Sequence, residues 1–197
     1  MAALVRSTPA AARRLNVVFV ANYGVSAAEL LFPATELSEQ ISTAGTEASG
    51  TGCMKAVLNG GIIIGTLDGA NIEIREQVGE ENMFVFGNTI QQLEALRTKG
   101  YDATAMAHGD AELSAVIERI ASMSNGIFQP LVDILTKNDR YFHCADYRSY
   151  LDAQQRAADT WTRPEEWTRM SILNTARSGW FSADRTIREY AKEIWGV

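Results

Sequence analysis

The chain has 197 residues, 46% hydrophobic and 21% charged, a balance that excludes a disordered, collagenous or disulfide-framework protein and allows one large domain. Its 18 Lys and Arg against 24 Asp and Glu give a net charge of -6, which argues against a surface for a phosphate backbone and so against nucleic acid as a partner. Apolar runs such as Ile62-Ile63-Ile64 fall far short of the ~20 residues that span a bilayer, so no membrane partner is expected; two cysteines, Cys53 and Cys144, with no zinc spacing point to a reducing, cytoplasmic setting and no metal.

Residues 1–15, MAALVRSTPAAARRL, hold three arginines and no acid. They read as a basic, poorly ordered leader, an organellar transit segment being the other reading. The folded body is expected over 16–197. Val17-Val18-Phe19-Val20-Ala21 is a β-branched and aromatic run that predicts a first strand, with Ser26 as N-cap of a helix over Ala27–Leu31. A short helix from Cys53 to Leu58 precedes a second strand, Gly61–Thr66, then an Asp68-Gly69 turn and a helix over Ala70–Gln77. Met83–Gly87 predicts a third strand before a helix over Thr89–Lys99. These strands are apolar throughout, as strands buried on both faces are, and they alternate with helices. The fold class is therefore α/β, a three-layer parallel sheet with flanking helices. From Ala111 onward the pattern is helical: Leu113, Val116, Ile117, Ile120 and Ala121 form one stripe, Leu131, Ile134 and Leu135 another, with a break at Lys137-Asn138-Asp139. A helical C-terminal tail over Asp184–Trp195 places Thr186, Ile187, Tyr190, Ala191 and Ile194 along one face.

Chemistry concentrates in Ser42–Lys55, a stretch of small and hydroxyl residues leading into the short helix. Glycines there let N–H groups approach an anion, and a helix N-terminus adds about half a positive charge. A plain turn has the same composition. Lys55, flanked by Met54, Ala56, Val57 and Leu58 on the first turn, reads either as an amine whose ammonium form is disfavoured, able to condense with an aldehyde, or as a solvated lysine whose stem covers apolar surface.

The text EQISTAGTEASGTGCMKAVLNGGIIIGTLDGANIEI, Glu39 to Ile74, resembles the pyridoxal-phosphate region of the α-glucan phosphorylases, the glycogen, starch and maltodextrin phosphorylase family. The resemblance continues through GEENMFVFG, part of KNDRYFHCADYRSYLDAQ, and WTRMSILNTARSGWFSADRTIREYAKEIW, so that it runs from about Asn16 to the C-terminus. It implies that Lys55 holds pyridoxal 5'-phosphate covalently, that Thr51 and Gly52 cradle the cofactor phosphate, and that Tyr23 reaches the same region. It further implies that Glu47, Ala48, Ser49 and Gly50 line a glucosyl subsite, with α-glucan, inorganic phosphate and glucose 1-phosphate as the reacting partners. The implied fold is part of the C-terminal lobe of a GT-B-type glycosyltransferase.

The sequence departs from the family where phosphate is gripped. It holds nothing like the family's basic KRIHEYKRQ motif, Gly24 follows Tyr23 where the family has a basic or polar residue, and Cys53 stands for an Asn. The expectation is therefore a phosphorylase segment that is inactive alone and completed by a missing N-terminal lobe, with a homo-oligomer as another possibility. The competing reading is a truncated, non-catalytic paralogue that binds cofactor or sugar, or docks on a phosphorylase.

Overall fold

The computed structural model describes residues 2–197 and divides into two units, one ending at Ala34 and one running from Thr35 to Val197. In the first, α1 (Ala2–Ser7) and α2 (Pro9–Ala12) occupy the segment expected to be an irregular leader. Alanine is the strongest helix former, and Pro9 fits the first helical position of α2, where its missing N–H costs nothing. The expected strand Val17–Ala21 is not one. No strand among the described residues pairs with it, and an apolar run without a ladder partner stays irregular; Val18 and Phe19 are 69% and 90% exposed. The next helix, α3 (Val25–Leu31), starts after Gly24, so Ser26 lies inside its first turn and is not the N-cap.

The second unit is built on three parallel strands in the order β1 (Leu37–Gln40), β2 (Ile62–Gly65) and β3 (Phe84–Val85). The first of these was not expected, because Leu37-Ser38-Glu39-Gln40 is polar and short. It forms by pairing in register with the strongest strand, Leu37 opposite Ile62 and Gln40 opposite Gly65. Gly65 permits that pairing at close range, since an added Cβ would lie 2.9 Å from the carbonyl oxygen of Gln40. Ile62, Ile63 and Ile64 are fully buried, and side chains alternate across a strand, so both faces of β2 are covered.

The helices that follow β1 are α4 (Gly52–Leu58), α5 (Ala70–Val78), α6 (Ile90–Thr98), α7 (Ala103–Gly109), α8 (Ala111–Ser122), α9 (Gln129–Lys137), α10 (His143–Trp161), α11 (Pro164–Arg177) and α12 (Ala183–Tyr190). On one face of the sheet Ile62, Ile64, Phe84 and Phe86 pack against Ala153 and Ala157 of α10 and Trp167 and Met170 of α11. Each large apolar side chain buried there contributes about 1.5–3 kcal/mol. Trp167 also stacks on Phe84, meets Trp161 edge-on at 4.9 Å and donates its indole N–H to Glu36 Oε2 at 3.0 Å. A second cluster joins Ala107, Leu113, Ile117, Val132 and Cys144. The expected tail helix ends at Tyr190, and a π-helical turn, Ala191–Trp195, follows it, with Ile187, Tyr190 and Ile194 exposed.

One turn orients α10. Asp139, 5% exposed, accepts the amide N–H groups of His143 and Cys144 at 2.9 and 2.8 Å and the Tyr101 hydroxyl at 2.8 Å. Phe142, the N-cap, is held in the left-handed region at φ 57, with its ring 4.7 Å from that of Tyr101 and the Arg97 guanidinium over it. A bulky residue adopts that conformation only where surrounding contacts outweigh its cost of about 1–3 kcal/mol. Among the described residues no helix is long and apolar enough to cross a membrane.

Candidate functional site

The candidate site lies beyond the carboxyl ends of β1 and β2, the edge where parallel α/β sheets hold ligands. The chain leaves β1 at Gln40, forms a loop over residues 41–51 and enters α4 at Gly52. Three anchors fix that loop. Thr43 donates its hydroxyl to the Tyr141 carbonyl at 2.6 Å, just ahead of α10. At the other end, the Ala70 N–H donates to the Ser49 carbonyl at 2.7 Å. In the middle, Asp68 is 5% exposed and its carboxylate accepts three amide hydrogens, from Gly45 at 2.8 Å, Thr46 at 3.1 Å and Glu47 at 2.8 Å. Gly69 makes this geometry accessible: its φ is 50, and an added Cβ would stand 2.4 Å from the Ser49 oxygen.

Seven of the eight expected site residues fall on this anchored loop and the helix it feeds. Glu47, Ala48 and Ser49 are exposed along it, with Glu47 Oε2 taking a long hydrogen bond from the Ser42 hydroxyl at 3.4 Å. Gly50 turns the chain at φ 80, and its carbonyl accepts from the Cys53 thiol at 3.5 Å. Burial pushes that thiol's pKa up, against the lowering effect of the neighbouring Met54 and Cys53 amides. Thr51 is the N-cap of α4, and its side chain makes no capping bond to the helix. Instead the Lys55 amine, turned back along the helix as long side chains are, donates to the Thr51 hydroxyl at 3.4 Å. Tyr23 belongs to the first unit, where it is 58% exposed after Asn22 at φ 51.

Lys55 does not have the apolar surroundings its sequence neighbours suggest. Cys53, Ala56 and Val57 turn into the core, whereas Lys55 is exposed on the other side of the helix. Its amine therefore lies beside the uncapped first turn of α4, where an aldehyde and an adjoining anion could be held together. Glu47 and the Ser49 hydroxyl, one turn of loop away, offer hydrogen-bond acceptors and a donor to a polyol. Between Thr35 and Gly69 the sequence has no basic residue besides Lys55.

Asp68 is the residue that sequence reading missed as part of the site, although the Asp-Gly pair after an all-apolar strand marked a turn. Its carboxylate at the end of the buried central strand is the signal. An acid there is either paired with donors or costly.

With this geometry in place, the family is shown by comparison: a model of the carbohydrate phosphorylase family matches residues 1–197, and the chain belongs to that family. The match includes the fifteen residues first read as a leader outside the resemblance. The chain is 49% identical to glycogen phosphorylase, muscle form, of Bos taurus, over 98% of its own length and 24% of that protein. It is 48% identical to the human muscle form over the same shares, and 48% identical to glycogen phosphorylase of Synechocystis sp. over all of its own length and 24% of that protein. The chain thus spans about a quarter of the length of these relatives.

Proposed function

We propose that this chain is the cofactor-bearing segment of an α-1,4-glucan phosphorylase, part of the C-terminal lobe of a GT-B-type glycosyltransferase, acting in the cytoplasm on glucan ends and inorganic phosphate to give glucose 1-phosphate. The observation that carries this reading is the Lys55 amine beside the uncapped N-terminus of α4, on a loop anchored by Asp68.

The residues present fit pyridoxal 5'-phosphate. Its aldehyde requires an amine and its phosphate requires N–H and hydroxyl donors, and Lys55, Thr51 and Gly52 bring both to one end of one helix. When bound, the cofactor supplies a phosphate that exchanges a proton with the substrate phosphate. In this reading Lys55 holds the aldehyde, while Thr51 and Gly52 hold the phosphate, with Tyr23 assigned to the same group. Glu47 accepts hydrogen bonds from sugar hydroxyls, and Ala48, Ser49 and Gly50 leave room for the ring to approach. Asp68 positions this set by fixing the amides of 45–47.

Phosphorolysis also needs cations around two phosphates in contact, and among the described residues of the second unit the site holds one amine and one helix N-terminus. The chain alone is therefore expected to release no glucose 1-phosphate above a Lys55→Ala blank; robust activity that disappears in that variant would overturn the claim of incompleteness. The cofactor assignment is tested separately. Incubation with pyridoxal phosphate, borohydride reduction and mass mapping should place the adduct on Lys55, whereas labelling of Lys99, Lys137 and Lys192 with Lys55 unmodified would reject it. A second reading, a non-catalytic module that docks on an intact phosphorylase or on its own copies, is favoured by the exposed run around Val18 and Phe19. A clean monomer by light scattering that binds no apolar dye would count against it.

A further inference from the structure

A separate cavity of about 240 Å³ opens at the same sheet edge, at the carboxyl ends of β1 and β3. Its wall is one face of α10: His143, Asp146, Tyr147 and Tyr150 recur at positions i, i+3, i+4 and i+7. Ile41 and Phe86, which directly follow β1 and β3, and Thr43 complete it, with Phe86 and Tyr150 edge to face at 5.2 Å. None of these residues belongs to the set around Lys55.

Asp146 defines the chemistry. It is 7% exposed, and its Oδ1 accepts both the backbone and side-chain N–H groups of Asn88 at 2.7 Å. Both of these bonds go to Oδ1, and Asp146 lines the cavity. Burial raises the pKa of this group while the Asn88 hydrogen bonds and the nearby His143 lower it. Among the described residues no Lys or Arg lines the cavity, which leaves an anionic ligand without a counter-charge. A cationic ligand, which the carboxylate would also attract, is told from a neutral one by the experiment below. What fits is a neutral ring with hydroxyls on its edge and C–H groups on its faces: the hydroxyls donate to Asp146 and exchange hydrogen bonds with His143, and the faces lie on Phe86, Tyr147 and Tyr150. The volume is below the ~300–1,000 Å³ of pockets for drug-sized ligands and suits a single sugar ring.

We propose that this cavity is a second carbohydrate site that takes one hexopyranose ring, distinct from the subsite assigned to Glu47, Ala48, Ser49 and Gly50. The ring comes from a free hexose or from the end of a glucan. Thr43 lines the cavity and also anchors the Glu47 loop through Tyr141, so occupancy bears on the loop that the proposed glucosyl subsite uses.

Saturation-transfer NMR on the full chain tests this, with methyl α-D-glucopyranoside standing for a free hexose and maltotriose for a glucan end. Binding in the millimolar range is expected, weakened at least about tenfold by Asp146→Asn and by Tyr147→Ala, and it persists in Glu47→Gln, which removes only what the proposed glucosyl subsite contributes. His143→Ala, a change at an exposed position that should not disturb folding, is expected to weaken it about threefold or more. Transfer confined to one terminal ring of maltotriose assigns the glucan end, and equal affinity for both sugars assigns the hexose; either supports the site. The proposal is overturned if the native chain shows no transfer, if the affinity is undiminished in both His143→Ala and Tyr147→Ala, or if transfer is lost in Glu47→Gln alone. Displacement of the sugar by tetramethylammonium would also overturn it, by making the cavity an ammonium cage.

Discussion

Replacing Asp68 by alanine should loosen the loop that carries the candidate site before it affects anything else. In the native chain one buried carboxylate satisfies the amides of Gly45, Thr46 and Glu47, and hydrogen bonds to a charged acceptor contribute about 1.5–3 kcal/mol each when fully buried. Gly45, Thr46 and Glu47 are exposed, however, so water recovers part of that loss and the expected destabilisation is about 2–4 kcal/mol for the set. Asp68→Asn should fall in between, because its shape is kept while an NH2 group now opposes backbone N–H donors. Urea unfolding followed by far-UV circular dichroism gives the global cost, and limited proteolysis within residues 43–50 gives the local one. The expected order is native above Asp68→Asn above Asp68→Ala in both. If Asp68→Ala lies within about 0.5 kcal/mol of the native chain and the loop resists protease equally, the carboxylate is not the anchor and the reasoning fails.

Gly69→Ala should be at least as severe as Asp68→Ala, since it combines an unfavourable φ with a Cβ 2.4 Å from a backbone oxygen; a midpoint unchanged in urea would show that the turn can shift. Trp167→Phe keeps the ring against Phe84 and Trp161 but loses the hydrogen bond to Glu36, so it should cost about 1 kcal/mol, against about 3–5 kcal/mol for Trp167→Ala. The Cys144 thiol, buried beside Asp139, has its pKa pushed from 9.0 up to about 12, first by burial and then by that carboxylate. The unfolded chain therefore loses this proton first, so the contribution to stability is full below about pH 9 and is lost as the pH rises toward 12, by up to about 1.4 kcal/mol per pH unit. Alkylation of Cys144 in the native chain near pH 9 should be far slower than in urea, and equal rates would show that the thiol is not held neutral.

The parts of the fold that local physics controls were legible. Ile62–Ile64 announced the central strand, and Thr89 with Gln92 closes the capping box that a helix starting there requires. The polar strand β1 was not legible, because it exists by virtue of its neighbour; the apolar Val17–Ala21 misled for the converse reason, having the composition of a strand and no partner. At the candidate site the glycine-rich loop and Lys55 stand out in the sequence, but the side of α4 on which Lys55 emerges depends on which of its neighbours the core takes. Asp68 reaches amides more than twenty positions away, and Thr43 reaches a carbonyl 98 positions away. No periodicity reports contacts of that kind.

The Asp139 turn has a consequence for motion. Its carboxylate is shared between Tyr101, which precedes α7, and the first two amides of α10, so one acceptor ties the entry of α7 to the start of α10, beside the pairing of Arg148 with Asp110. The Cys144 side chain repeats the link, lying in the Ala107–Val132 cluster with its thiol donating to the Leu135 carbonyl at 3.3 Å. When that small helical cluster opens, the Cys144 thiol parts from the Leu135 carbonyl and the Asp139 turn at the head of α10 is released with it, while Phe142 keeps its own packing against Ala44 and Leu93. Amide hydrogen exchange of His143 and Cys144 should then follow that of α8 and α9 and not that of the sheet, so that the two belong to a single cooperative opening unit.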